Sequence, residues 1–418
     1  MATVFNLDFC GARIKVRAEG TPLMRIILKL LCACCIMALG TTSFAQANSG
    51  LETLADSYNA FGLKLLVQTR RAGHGKNVFL SPAGLAFALS MAADGAQDET
   101  LRQMLGVLQF RGNTAALNAA NLALVDHLSK LDPKIQLEIA NSIWTASDAQ
   151  INPPYLASLR QSYQAVVASV NFKDPGTADK INGWVNDHTR GKISRMVEPP
   201  LGANRLILLD AIYFKGDWMT PFDKALTHDL PFTLSDGESI TQPRMSRTGE
   251  FDYFEDDSFQ AVRLPYAGRA VSMYVFLPKR RLDDFVQNLS LENWRGWLGR
   301  FRSRKGTVEL PRFKLSNEYK LNGVLQSMGM MDAFTHQANF GGISDQPLYI
   351  DWIRQKTYVD VNEEGTEAAA VTGIGFKALA VRREEPPFQM VVDHPFFVAI
   401  RENQSGAILF LGTILDPR

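Results

Sequence analysis

The side chains suited to acid–base or metal chemistry are poorly placed for it. The six histidines, His74, His127, His188, His228, His336 and His394, share no metal-ligand spacing, and each fits a structural or solvent-facing role better than a catalytic one. The chain has no Gly-x-Ser-x-Gly elbow, no His-Glu-x-x-His pair and no phosphate-binding loop. A hydrolase is therefore the remotest reading, and no cofactor or metal is expected. Attention turns to a segment whose chemistry is that of its backbone: Asn362-Glu-Glu-Gly365-Thr-Glu-Ala-Ala-Ala370-Val-Thr-Gly-Ile-Gly375-Phe-Lys-Ala-Leu379, directly after the strand-like Thr357-Tyr-Val-Asp-Val361. A strand sends alternate side chains to opposite faces. Counted from Thr366, one face carries Thr366, Ala368, Ala370, Thr372, Ile374, Phe376 and Ala378, and the other Glu367, Ala369, Val371, Gly373, Gly375, Lys377 and Leu379. Both charges fall on one face, with Ile374 and Phe376 on the other, as in a strand with one side on a core and one toward water. A loop able to become a strand has this pattern, and so does an Ala-rich surface linker.

The elements that would position this segment belong to an ordinary globular chain of 418 residues, 46% hydrophobic and 21% charged. A formal net charge of +1 gives no pull toward nucleic acid or an anionic membrane. Residues 1–47 read as a leader: Met24-Arg-Ile-Ile-Leu-Lys29 is a basic start, Leu30 to Gly40 an apolar run too short for a stable span, and Ala45-Gln-Ala47 a signal-peptidase pattern. Residues 1–23 sit oddly before such a signal, so Met24 is the expected start and the upstream residues an artefact of start-site choice. All four cysteines, Cys10, Cys32, Cys34 and Cys35, lie in this leader. Lipidation at Cys34 is a weaker reading than ordinary cleavage. An exported chain, periplasmic or extracellular and without disulfides, must then be held by its core alone, which about 370 residues can supply.

From residue 48 the pattern starts helical and ends extended. Helices are expected at Leu51 to Gln68, from the N-cap pair Ser81-Pro82 to about Ala93, at Ala178 to Thr189 and at Asn317 to Met328. Strands are expected at Leu206 to Phe214, Ser272 to Leu277, Thr307 to Lys314, Tyr349 to Val361, Gln389 to Val392, Phe396 to Arg401 and Ala407 to Ile414. No linker divides the region, and one α+β domain over 48–418 is the reading.

Six separated blocks in order resemble the serpin family from about Leu51 to Pro417: Asn77-Val-Phe-Leu-Ser81-Pro; Ile181-Asn-Gly-Trp184-Val with Thr189 and Ile193; Asp210-Ala-Ile-Tyr-Phe214-Lys-Gly-Asp-Trp218; Leu264-Pro-Tyr266 with Ser272-Met; Leu310-Pro-Arg-Phe313-Lys; and Val361-Asn-Glu-Glu-Gly365-Thr-Glu-Ala followed by Asp393-His-Pro-Phe396. Phe410-Leu-Gly412 also fits. The resemblance implies the serpin fold: an N-terminal helical region, a large central mixed sheet, smaller sheets and an exposed reactive-centre loop at about 363–387. It implies a suicide inhibitor of serine, sometimes cysteine, proteases. The bait is cut, an acyl-enzyme forms, and the loop inserts into the sheet before hydrolysis, trapping the enzyme. The 14 residues Thr366 to Leu379 would span roughly 45 Å extended. A non-inhibitory serpin-like binding protein, cleaved as a substrate, is the alternative.

By the same resemblance Glu363, Glu364, Gly365, Thr366, Glu367, Ala368, Ala369 and Ala370 form the hinge, with Thr366 the first inward side chain. Family spacing sets the scissile bond at Leu379-Ala380, implying chymotrypsin-, elastase- or subtilisin-like targets; Arg382 and Arg383 would instead suit a trypsin-like enzyme. Ser81, Gly84, Asp210, Trp218 and Gln355 mark the sheet-opening region. Three positions there depart from the family: Asp210 for an asparagine, Gln355 for a histidine and Gly84 for a serine. An Asp–Gln pair can hydrogen-bond, whereas an unpaired buried carboxylate would be costly. Arg295, Arg300, Arg302, Arg304 and Lys305, interleaved with Trp294, Trp297 and Phe301, read first as a solvated helix end with aromatics inward and second as a weak polyanion site. A monomer is expected.

Overall fold

The computed structural model describes residues 3–9, 12–18, 50–73, 75–163, 165–202, 204–366 and 386–418, the first two stretches as backbone only. Internal contacts divide the chain into Met1–Leu51 and Glu52–Arg418. In the first unit β1 (Thr3–Phe9) and β2 (Ala12–Ala18) pair antiparallel, Thr3 opposite Ala18. The expected leader at 24–47, His74 and the loop residues 367–385, with both proposed scissile bonds, lie outside the described residues.

Helix α1 covers residues 50–73, nearly all of it in the larger unit, and is followed there by β3 (Val78–Leu80) and α2 (Pro82–Asp94). Ser81 caps α2: its backbone is extended at φ −110°, and its hydroxyl accepts from Gly84 N. From Pro82 to Ala93 every residue of α2 is buried, because a helix apolar all round has no face to give to water. Next come α3 (Asp98–Val107), α4 (Thr114–Ser129), β4 (Ile135–Ala146), α5 (Pro153–Tyr163), β5 (Val166–Val170), α6 (Gly176–His188) and β6 (Leu206–Asp217). The middle of the chain supplies β7 (His228–Thr233), β8 (Ser239–Glu255), β9 (Phe259–Pro265), β10 (Val271–Pro278), α7 (Leu282–Gln287) and α8 (Leu291–Leu298). The last part adds β11 (Arg302–Pro311), β12 (Phe313–Lys320), α9 (Asn322–Ser327), β13 (Trp352–Val361), β14 (Gly365–Thr366), β15 (Phe388–Val391), β16 (Phe396–Glu402) and β17 (Ile408–Ile414).

Two sheets result, in an α+β fold. Six strands in the order β12-β13-β14-β6-β4-β5 make a mixed sheet; nine more run β15-β11-β8-β9-β10-β16-β17-β3, with β7 beside β8. Helix α2 packs against β4 and β6 of one and β17 of the other. On the opposite face of the mixed sheet, Ile181 and Val185 of α6 bury Trp144, Ile207 and Leu209.

The helix expected over Asn317 to Met328 is a correction. Residues 313–320 form β12, whose first half alternates buried and exposed, and only Asn322–Ser327 is helical. Tyr319, counted as a helical position, instead offers its hydroxyl oxygen to Phe79 N of β3, in the other sheet. The strand expected over Thr307 to Lys314 is two strands, parted at Arg312.

Candidate functional site

The site is a seam in the mixed sheet. Strands β13 and β6 pair parallel from Trp352 opposite Ile207 to Tyr358 opposite Tyr213. Above that they diverge, and the chain leaving β13 turns back at residues 362–364 to place β14 between them. Thr366 lies opposite Val361 on one side and Gly216 on the other, antiparallel to both. The hinge expected from the sequence thus has its first two strand residues in the sheet. Gly365 approaches β6 so closely that an added Cβ would lie 2.7 Å from Asp217 Cα, which only glycine tolerates.

Each of the four described hinge residues, 363–366, is held. Thr366 is fully buried, and its hydroxyl shares a 2.7 Å hydrogen bond with that of the equally buried Tyr266. The Tyr266 ring stacks on Trp218 at 4.6 Å. Trp218 donates from Nε1 to Asn362 O and from its backbone to Glu364 O, and Phe222 N donates to Glu363 O. Lys224 pairs with Glu364 at the surface. The Glu363 carboxylate, 1% exposed, accepts from Arg312 Nε at 2.7 Å and from Thr227 Oγ1. Burial alone would raise its pKa, but the bonds from Arg312 and Thr227 outweigh it and hold the carboxyl below its usual range.

Lower in the seam the structure brings Ser81, Gly84, Asp210 and Gln355 together. Asp210 and Gln355 are direct partners across the parallel ladder, both fully buried. Gln355 donates from Nε2 to Asp210 Oδ2 and to Ser81 O, while its Oε1 accepts from Ser81 N at 3.0 Å. Gly84 makes the acid possible: a Cβ there would lie 2.5 Å from Asp210 Oδ1. Sequence reasoning missed Asn141, which lies opposite Asp210 on β4 and donates from Nδ2 to Gly84 O. It also missed Arg312, Tyr266 and Thr227, whose roles depend on strands distant in the chain and leave no local pattern.

The basic cluster is engaged internally. Arg295 pairs with Asp56, Arg300 lies over the Phe254 ring at 4.2 Å, Arg302 donates to Gly299 O and Phe301 O, and Arg304 packs over Tyr253 and donates to Pro386 O. Trp294 is buried, and Trp297 and Phe301 join it around Phe276. Among the described residues no group of three potential ligands could hold a metal, and no helix is long and apolar enough to cross a membrane.

Residues 56–417 match the family model described as Serpin (serine protease inhibitor). The chain belongs to the serpin family. It is 35% identical over 386 residues to leukocyte elastase inhibitor of Bos taurus, covering 88% of this chain and all of that one. Native protease nexin-1, solved with heparin, superposes with a TM-score of 0.80 at 27% identity, covering 88% of this chain and 100% of the other. Human thyroxine-binding globulin complexed with thyroxine shares the fold at a TM-score of 0.81 but only 23% identity, over 88% of this chain and 99% of that one.

Proposed function

We propose that this serpin is a suicide inhibitor of a serine protease, trapping it by inserting residues 366–379 between β6 and β13. The observation that carries this reading is the antiparallel seating of Gly365 and Thr366 at the head of that seam. If the register of β14 is continued, Thr372 would fall opposite Asp210 and Gln355, and Phe376 opposite Leu206, the first residue of β6. Eleven residues, 366–376, would fill the strand, with Leu379 just past its lower end. Parity puts Ile374 and Phe376 on the face of buried Thr366. The other face of β6 is covered at mid-strand by α6 rather than by water, as the sequence had suggested, since Leu209 and Ile207 pack there. Gly373 and Gly375 fall opposite those two residues, where a strand must slide beneath a helix and small residues leave it room. Insertion replaces one parallel pairing by two antiparallel ladders, and antiparallel pairing is the more stable per residue.

The bait is Leu379-Ala380 in this proposal, suiting chymotrypsin-, elastase- or subtilisin-like enzymes, and the protein acts as a monomer after export and cleavage behind Ala47. Incubation with chymotrypsin, elastase, subtilisin and trypsin tests it: an SDS-resistant complex is expected, and the mass of the released C-terminal peptide locates the bond. Cleavage by all four without complex would make the protein a binding member of the family rather than an inhibitor.

A further inference from the structure

Two buried acceptors beside Gly84 have no hydrogen-bond partner: Asp210 Oδ1 and Asn141 Oδ1. Their residues are direct cross-strand partners on β6 and β4, and both side chains lean on Gly84 of α2, Asn141 through its bond to Gly84 O and Asp210 through the space a Cβ would fill. The bond to Gly84 O fixes the amide with its oxygen free. One hydrogen on Asp210 would satisfy both orphans at once.

We propose that a proton on Asp210 latches the closed sheet: Oδ1–H donates to Asn141 Oδ1 while Oδ2 accepts from Gln355, and loss of that proton leaves a charge that is buried only while β6 and β13 stay together, which favours the parting that insertion needs. The groups facing Asp210 are neutral on every side, Ser81 and Gly84 at the start of α2, Asn141 on β4 and Gln355 on β13, and among the described residues no cation or second carboxylate acts on it. The N-terminal turn of α2 offers little help to an anion, because Gly84 N is already spent on Ser81 Oγ. Burial therefore dominates and pushes the carboxyl up to about 7, with the Gln355 bond opposing it.

The folded-state value is raised above the ordinary 3.8. The stabilisation is therefore complete below pH 4, is lost as pH climbs toward 7, and changes no further above that. An opened seam that wets Asp210 ionises it at its ordinary value, so opening speeds up across the same window. The shift of about three pH units sets a ceiling on the order of a thousandfold.

The effect on inhibition rests on the insertion reading, but the latch does not, and its test uses no protease. A synthetic peptide with the sequence of residues 366–379 is annealed into the native protein, and melting temperature is followed in parallel at pH 5, 6, 7 and 8. Wild type should anneal at least tenfold faster at pH 8 than at pH 5 and melt lower at pH 8. Asp210→Asn, whose amide donates to Asn141 at every pH, should flatten both profiles. A flat wild-type profile, or one that Asp210→Asn leaves unchanged, overturns the latch; if no peptide anneals, the melting profiles alone decide. Asn141→Leu is the second variant: without the acceptor the midpoint should move to lower pH, and an unmoved midpoint also overturns the proposal. Trapping of protease with flat profiles refutes the latch alone, whereas sloping profiles without trapping refute the inhibitor reading alone.

Discussion

Thr366→Arg tests the seam most directly, because the side chain it changes is fully buried at the point where insertion begins. Losing the hydroxyl strands the Tyr266 phenol in a site without water, at about 1–3 kcal/mol. A guanidinium in the same slot finds Glu363 and Glu364 already paired with Arg312 and Lys224, and desolvating it costs several kcal/mol more unless the chain relaxes. If only about 3 kcal/mol of this reaches the insertion barrier, insertion slows on the order of a hundredfold. Hydrolysis of the acyl-enzyme then wins. The assay is the molar ratio of inhibitor consumed per protease trapped, read with the yield of SDS-resistant complex. Thr366→Arg should be cut at the same bond as wild type while its complex all but disappears, and Thr366→Ser should keep it. An undiminished complex from Thr366→Arg would refute the claim that the chain enters the sheet through this slot.

Arg312→Ala leaves the Glu363 carboxylate buried with Thr227 as its one remaining side-chain partner, at a cost of about 3 kcal/mol, and thermal melting should fall by several degrees. The pH dependence should differ as well: wild-type Glu363, held below 4.5, contributes stability above that value and loses it on acidification, whereas acid should partly rescue Arg312→Ala by neutralising the orphaned group. Gly84→Ala should cost about 1–3 kcal/mol through contact with Asp210 Oδ1, and Gly84→Ala with Asp210→Ala should lose less than the two singly, measured as coupling in urea unfolding.

The family and the strands that flank the seam could be read from sequence because their signals are local: six ordered blocks, a capping Ser81-Pro82 pair and an apolar run in β6. Strand β4 escaped because Asn141 to Ala146 is buried on both faces, which erases alternation at one end. Strand β8 escaped for the opposite reason, since Pro243, Gly249 and several charges interrupt a strand that is half in water. The Asn317 to Met328 helix was misread because Leu321, Val324, Leu325 and Met328 keep helical spacing beyond a strand end at Lys320. The departures at Asp210 and Gln355 could be read as a pair, with Gly84 as a third change in the same region. That they form one compensated set, with Asn141 as fourth member, depends on three strands and a helix meeting, which no window of sequence contains.

Arg312 is the only residue between β11, in the nine-stranded sheet, and β12, at the edge of the mixed sheet. So short a crossing is a pivot. In the proposed insertion β13 would part from β6 carrying β12 with it, and with β11 paired between β8 and β15 the rotation would concentrate in the backbone torsions at that one residue. Arg312 also holds Glu363, so the proposed pivot and the turn that leads into β14 would stay tied by one ion pair through the motion.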